Sequence, residues 1–290
     1  MNDYQTNRLN TDNTTASDGS LLTSGMVRVL RDGILRDLRL DVLSRVCVAS
    51  LIAMLSASCT SNGGFDTGKA LAIGSGVIQV ATLDENEVKL KASLAAEQLD
   101  RKSQLVGENS IYAKRLKKIT AGLSNSDGLQ LNFKVYLSAD VNAFAMADGT
   151  VRVHSGLLDL MPDDQVLAVI GHEIGHVKLR HSYNQMRETL LTNVAFEAAR
   201  SVGGTFGQLT AGQLGTLAQT VVNAQFSQAD ELESDAYAVK ILKRLGKDPY
   251  AMKRSIETLQ KKNGSGGGFM SSHPSNAKRI EKIQDSIDRL

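Results

Sequence analysis

Asp163-Asp-Gln-Val-Leu-Ala-Val-Ile-Gly-His-Glu-Ile-Gly-His-Val-Lys-Leu-Arg180 is an apolar run with helical patterning, and the pentapeptide His172-Glu173-Ile174-Gly175-His176 inside it decides how the chain is read. Residues four apart lie on one face of a helix, so His172 and His176 can close on a single metal ion while Glu173 stands beside them. A helical H-E-x-x-H is the spacing of a catalytic zinc helix. Such a zinc takes three protein ligands and leaves one position for water. Glu173, offset from the metal face, is placed to take a proton from that water rather than to bind the ion. Gly171 and Gly175 sit mid-helix, where each costs about 1 kcal/mol relative to alanine. They predict clearance for a second helix that brings the third ligand.

That helix is expected after Ser227, a candidate N-cap. The run Gln228-Ala-Asp-Glu-Leu-Glu-Ser-Asp-Ala-Tyr-Ala-Val-Lys240 places Glu231 and Asp235 four apart. Glu231 can complete a set of two histidines and one glutamate, with Glu233 the nearest substitute. Asp235 can accept the free N–H of a ligating imidazole and fix its tautomer. Taken alone, two acids at this spacing describe a solvated helix face; the upstream histidine pair changes that reading. His154 and His181 are read as surface or packing residues.

Composition narrows the partners. A net charge of +2 and 4% aromatic residues give no footprint for nucleic acid. Both cysteines, Cys47 and Cys59, precede the motif-bearing region, so no disulfide framework is expected there. Arg28, Arg31, Arg36, Arg39 and Arg45 lead into the apolar run from Val46 to Leu55, and Ser56-Ala57-Ser58 then precede Cys59. This is the order of a lipoprotein-type signal over 26–58, with Cys59 the lipidation site. Its apolar core is shorter than the ~20 residues that span a bilayer. Residues 1–25 are polar, and are either a disordered extension or lie upstream of a true start at Met26. A small, Gly-rich tether covers 59–83, leaving 84–290 for one folded domain.

Within that domain two amphipathic helices are expected, near Asp84 to Leu105 and Ser110 to Leu123. A half-buried strand is expected from Leu131 to Leu137. A hairpin follows, with Asp148-Gly149 as a tight primed turn. It is either a small structural sheet or an edge strand to which a peptide adds. Thr189 to Ala224 predicts a helical hairpin carrying too many polar residues for a membrane span. The fold class is therefore α+β and mainly helical, with a small antiparallel sheet.

His172-Glu173-x-x-His176, Glu231-x-x-x-Asp235 and His273-Pro274 with Arg279, in that order, resemble the zinc metallopeptidase family that includes HtpX and the CAAX prenyl endopeptidases. The segment Asn142-Ala143-Phe144-Ala145 and the lipoprotein-like start resemble its bacterial periplasmic branch. The resemblance implies a zincin-like (gluzincin) fold, one zinc ion per chain on His172, His176 and Glu231, Glu173 as general base, and a substrate strand at Asn142 to Ala145. It also implies polypeptide substrates in the cell envelope, outer-membrane proteins as partners, and a lipid anchor on the periplasmic face of the outer membrane. Inner-membrane anchoring is the alternative. His273 follows a Gly-rich loop and precedes Pro274, which holds the histidine backbone extended. Its imidazole can close the metal's open position or stabilise an oxyanion, with Arg279 as a cationic alternative; otherwise His273 caps the last helix. The rival reading of the whole is a zinc-stabilised lipoprotein acting as chaperone or assembly factor. A membrane-integrated prenyl-protein enzyme is disfavoured, because no long uninterrupted apolar span is present.

Overall fold

Three short strands sort the interior into two halves. The computed structural model describes residues 84–200, 209–262, 268–274 and 277–290. The signal segment, Cys59, the tether, Gly203-Gly204 and nearly all of the 263–268 loop lie outside the described residues. Strands β1 (Asn132–Tyr136), β2 (Ala143–Ala145) and β3 (Thr150–His154) form one sheet in the order β1-β3-β2. The β2-β3 hairpin is antiparallel. However, β1 runs parallel to β3, from Asn132 opposite Thr150 to Tyr136 opposite His154, so the sheet is mixed rather than antiparallel. Each connection reverses the chain, so the first and third strands share a direction, and β3 inserts between the other two. Alternation of residue types fixes the faces of a strand and carries no information about that direction. The turn differs too. Gly149 N–H bonds to the Met146 carbonyl, and Gly149 alone takes a positive φ (+91°), giving a three-residue loop with a glycine bulge instead of the two-residue primed turn.

On one face Val135, Ala143, Ala145, Val151 and Val153 join the larger core; on the other Tyr136 and Phe144 join a second cluster. Helix α1 (Glu85–Lys102) covers that second face, capped by the Asp84 carboxylate on the Glu87 N–H. Buried Arg152 of β3 pairs with Asp100 of α1 through Nε (2.8 Å) and Nη2 (2.9 Å). Burial alone would raise the Asp100 carboxyl, but hydrogen bonds from Arg152, Lys134 and Tyr136 outweigh it and hold the pKa at about 2. The pair ties α1 to the sheet.

Helices α2 (Ile111–Ile119), α3 (Ser155–Leu160) and α4 (Asp163–Lys178) follow, then α5 (His181–Arg200) and α6 (Ala211–Asn223). The last two form the expected helical hairpin, with α6 packed on α1 and α5. Among the described residues no helix is long and apolar enough to cross a membrane. The chain continues through α7 (Gln228–Arg244), α8 (Tyr250–Lys262), α9 (Phe269–Ser272) and α10 (Ala277–Asp288).

Helix α4 is central: every residue from Val166 to Val177 is buried. Its most extensive partner is α7, which also begins at the expected Ser227 cap. The two glycines are where the helices meet. A Cβ added at Gly171 would lie 3.3 Å from the Cα of Ala238, and one at Gly175 would lie 3.0 Å from the Cα of Ser234. Gly175→Ala therefore sets a helix-propensity gain of about 1 kcal/mol against overpacking of two buried backbones, typically 1–3 kcal/mol. The thermal midpoint of Gly175→Ala should fall, and that of Gly171→Ala should fall less. An unchanged or raised midpoint in Gly175→Ala would show that the helices separate freely.

Candidate metal centre

Close packing of α4 on α7 puts His172 and His176 opposite Glu231. α9 then turns the chain so that His273 enters from a third side. All four side chains are buried, and one donor atom from each lies within 4.8 Å of every other. His172 Nε2 is 3.0 Å from His176 Nε2, 3.3 Å from His273 Nδ1 and 3.5 Å from Glu231 Oε2. Glu231 Oε1 is 3.4 Å from His176 Nε2 and 2.9 Å from His273 Nδ1. Four ligands at 2.0–2.1 Å from a tetrahedral metal would stand roughly 3.3 Å apart. The spacings and the donor types, three imidazoles and a carboxylate, fit a metal ion.

The outer groups hold these donors in place. Asp235 Oδ1 accepts from His172 Nδ1 at 2.8 Å. Arg279, fully buried, donates to Asp235 through Nε (2.8 Å) and Nη2 (2.7 Å), and its Nη1 lies 2.6 Å from Glu231 Oε2. Nη1 also reaches the His273 and Pro274 carbonyls at 3.2 and 3.4 Å. The sequence reading set Arg279 beside His273 as a cation at the reacting centre. The structure places it one layer behind, locking both carboxylates and the His273 turn. The His273 imidazole points into the cluster, stacked on Phe269 at 4.3 Å, and does not reach out to cap α10.

Charge follows from these neighbours. Burial pushes His176 well down, leaving the neutral imidazole that a metal needs. Burial alone would raise Glu231, but His273 and His172 outweigh it and keep the carboxylate ionised. Burial would likewise raise Asp235, and its ion pair with Arg279 reverses the direction. Glu173 is different. Burial pushes its carboxyl up, against the opposing pull of His273 and His172. Its Oε1 has no hydrogen-bond partner and lies 3.4 Å from His273 Nε2. A buried carboxylate oxygen left facing a metal-type cluster is poised to accept a proton.

The segment Asn142 to Ala145 adjoins this centre. β2 is an edge strand beside α4, and the Ala145 N–H bonds the Glu173 carboxylate. The Ala145 carbonyl accepts from Ser182 Oγ (3.2 Å), and the Ala143 N–H donates to Asn142 Oδ1 (2.9 Å). Both N–H groups and the Ala145 carbonyl on this edge thus have partners within the chain, and Ala143, Phe144 and Ala145 are buried. His154 stays away from the donors, in an aromatic group with Tyr136 and Phe144. Three contacts were not foreseen. Phe226 stacks on His176 at 3.8 Å, Phe269 stacks on His273, and His181 is buried against His176. The last two had a signal in the sequence: a phenylalanine one helical turn before His273, and a histidine five residues after His176.

Comparison with known proteins points to a metallopeptidase. Residues 111–287 match the model of peptidase family M48. The chain is 41% identical over 242 residues to the metalloprotease LoiP of Escherichia coli (strain K12), covering 82% of this chain and 96% of LoiP. It is 36% identical over 244 residues to the metalloprotease YcaL of the same organism, covering 83% and 96%. A shorter match, 33% identity over 147 residues, covers 47% of this chain and 30% of the β-barrel assembly-enhancing protease of Yersinia pestis.

Proposed function

The chain belongs to peptidase family M48 and is a metalloendopeptidase acting on polypeptides; from that premise we propose that its metal is zinc, held by His172, His176 and Glu231, with Glu173 as the general base. The observation that carries this reading is the unpartnered Glu173 Oε1 buried beside a four-donor cluster. Zinc bound there would polarise the scissile carbonyl and acidify a water molecule. Glu173 would take a proton from water at Oε1 and deliver it to the leaving amine. Asp235 fixes the His172 tautomer, and Arg279 keeps Asp235 and Glu231 in register. The substrate backbone adds along β2 once the contacts from Glu173, Asn142 and Ser182 to that edge give way.

His273 fills the fourth donor position, which is how a purely structural zinc site is closed. That observation favours a zinc-stabilised assembly factor. Glu173 weighs against it, because a structural site gains nothing from a buried carboxylate with an idle oxygen. We read the four-donor arrangement as a resting state from which the imidazole withdraws to admit water and substrate.

We further propose a signal segment at 26–58, a tether at 59–83 and the peptidase domain at 84–290, with Cys59 lipidated and the domain held on the periplasmic face of the outer membrane. The inner membrane is the alternative site. A relative named for enhancing β-barrel assembly supports misfolded or unassembled envelope proteins, outer-membrane proteins among them, as substrates.

Glu173→Gln should keep near wild-type zinc and lose casein cleavage by a factor of about 100 to 10,000, and a chelator should silence the wild type until zinc is returned. Turnover unchanged in the variant would remove Glu173 as base. At matched zinc content His273→Ala should cleave casein, or itself, faster than wild type. A loss of about 2.7–4 kcal/mol of transition-state stabilisation would instead assign His273 to the oxyanion, and unchanged turnover would reject both roles. Cells given labelled palmitate should mark the wild type and not Cys59→Ser; equal labelling would move the anchor elsewhere.

A further inference from the structure

His176 Nδ1, the ring nitrogen turned away from the donor cluster, faces a second imidazole. Helix α4 ends in a two-residue turn, with the Leu179 N–H on the Gly175 carbonyl and the Arg180 N–H on the Val177 carbonyl. Arg180 takes φ +69°, the left-handed region that costs a residue with a Cβ roughly 1–2 kcal/mol. Its side chain is anchored over the Tyr183 ring at 4.2 Å and on Glu85. The turn starts α5 at His181 and folds that residue back onto α4, 6% exposed. His181 Nδ1 lies 3.2 Å from His176 Nδ1 and 3.3 Å from Ser234 Oγ. His181 Nε2 lies 3.3 Å from Glu233 Oε2 and 3.5 Å from Asp230 Oδ1.

With His176 presenting Nε2 to the cluster, its proton sits on Nδ1 and needs an acceptor. His181 can accept only at an unprotonated Nδ1, so its own proton sits on Nε2, directed at Glu233. Donor and acceptor alternate without conflict from Glu233 to the donor cluster. We infer that His181 is a positioning residue for the metal site: an imidazole acceptor, itself oriented by a carboxylate, that fixes the tautomer and ring angle of His176. His172 has an ionised carboxylate, Asp235, in the same place. The two histidine ligands therefore have unequal supports, and the His176 side leaves less negative charge next to the metal than a second carboxylate would. This inference rests on His176 being a zinc ligand.

The test measures zinc affinity of the metal-free protein by competition with a chelator, beside the melting point of each metal-free variant. His181→Phe keeps a ring and removes the acceptor, and should weaken zinc binding about 10 to 100-fold. His181→Asn returns an acceptor oxygen near the Nδ1 position and should recover most of the loss. Wild-type affinity in His181→Phe, or an asparagine variant as weak as the phenylalanine one, would overturn the inference. If His181→Phe melts in the cold, His181→Leu takes its place, being the size of asparagine without the acceptor. His176→Ala separates the two layers of argument: wild-type zinc affinity there would remove the ligand assignment itself, whereas loss there with full affinity in His181→Phe would remove only the role of His181.

Discussion

Everything at the metal centre depends on how closely two helix backbones approach. Gly175 lets α4 rest on the Cα of Ser234, and Gly171 does the same against Ala238. Ser234 sits between Glu231 and Asp235 in sequence, so the same contact sets the distance of both carboxylates from the histidines. A slightly wider pair of helices would leave Glu231 short of His176 and Asp235 short of His172. The glycines, poor helix formers, survive in α4 because burial from Val166 to Val177 holds the helix without help from propensity.

That closeness creates an electrostatic problem which Arg279 resolves. Glu173, Glu231 and Asp235 are three buried acids within one small volume. Burying an ion costs several kcal/mol unless it is paired and hydrogen-bonded. Asp235 and Glu231 share the Arg279 guanidinium, which also reaches the His273 and Pro274 carbonyls. One cation from α10 thus supports both the ligand helix and the turn bearing His273. Glu173 receives only the Ala145 N–H and an imidazole at a distance. The unevenness matches the proposed roles: ion pairing holds Asp235 and Glu231 ionised, whereas burial pushes the Glu173 carboxyl up.

Much of this was legible in the chain because it obeys local rules. The i, i+4 spacing of His172 with His176 and of Glu231 with Asp235 follows from helix geometry alone, and the glycine pair announced the close contact. The Ser227 cap and the helices after Asp84 and Ser110 began where their capping residues stand. What stayed hidden was set by tertiary direction. The parallel pairing of β1 with β3 depends on where β2 is parked, which no alternation encodes. Arg279 carries a charge that suits either an oxyanion or a carboxylate, and only the placement of α10 behind the site decides. His181 packs, as one of its two readings had it, but its contact with His176 stayed hidden because a spacing of five falls off the helix face, and a strained turn at Arg180 brings it back.

The order in which the chain supplies these groups has a kinetic meaning. α4 comes first, α7 begins 65 residues after it (Asp163 to Gln228), and the counter-ion Arg279 arrives last. Until α10 docks, the α7 carboxylates lack their guanidinium partner, and the cost of burying them unpaired opposes closure of the helices. Closing the donor cluster is therefore coupled to docking of the last helix. A site whose counter-ion lies in the last helix is completed together with the packing of the domain as a whole.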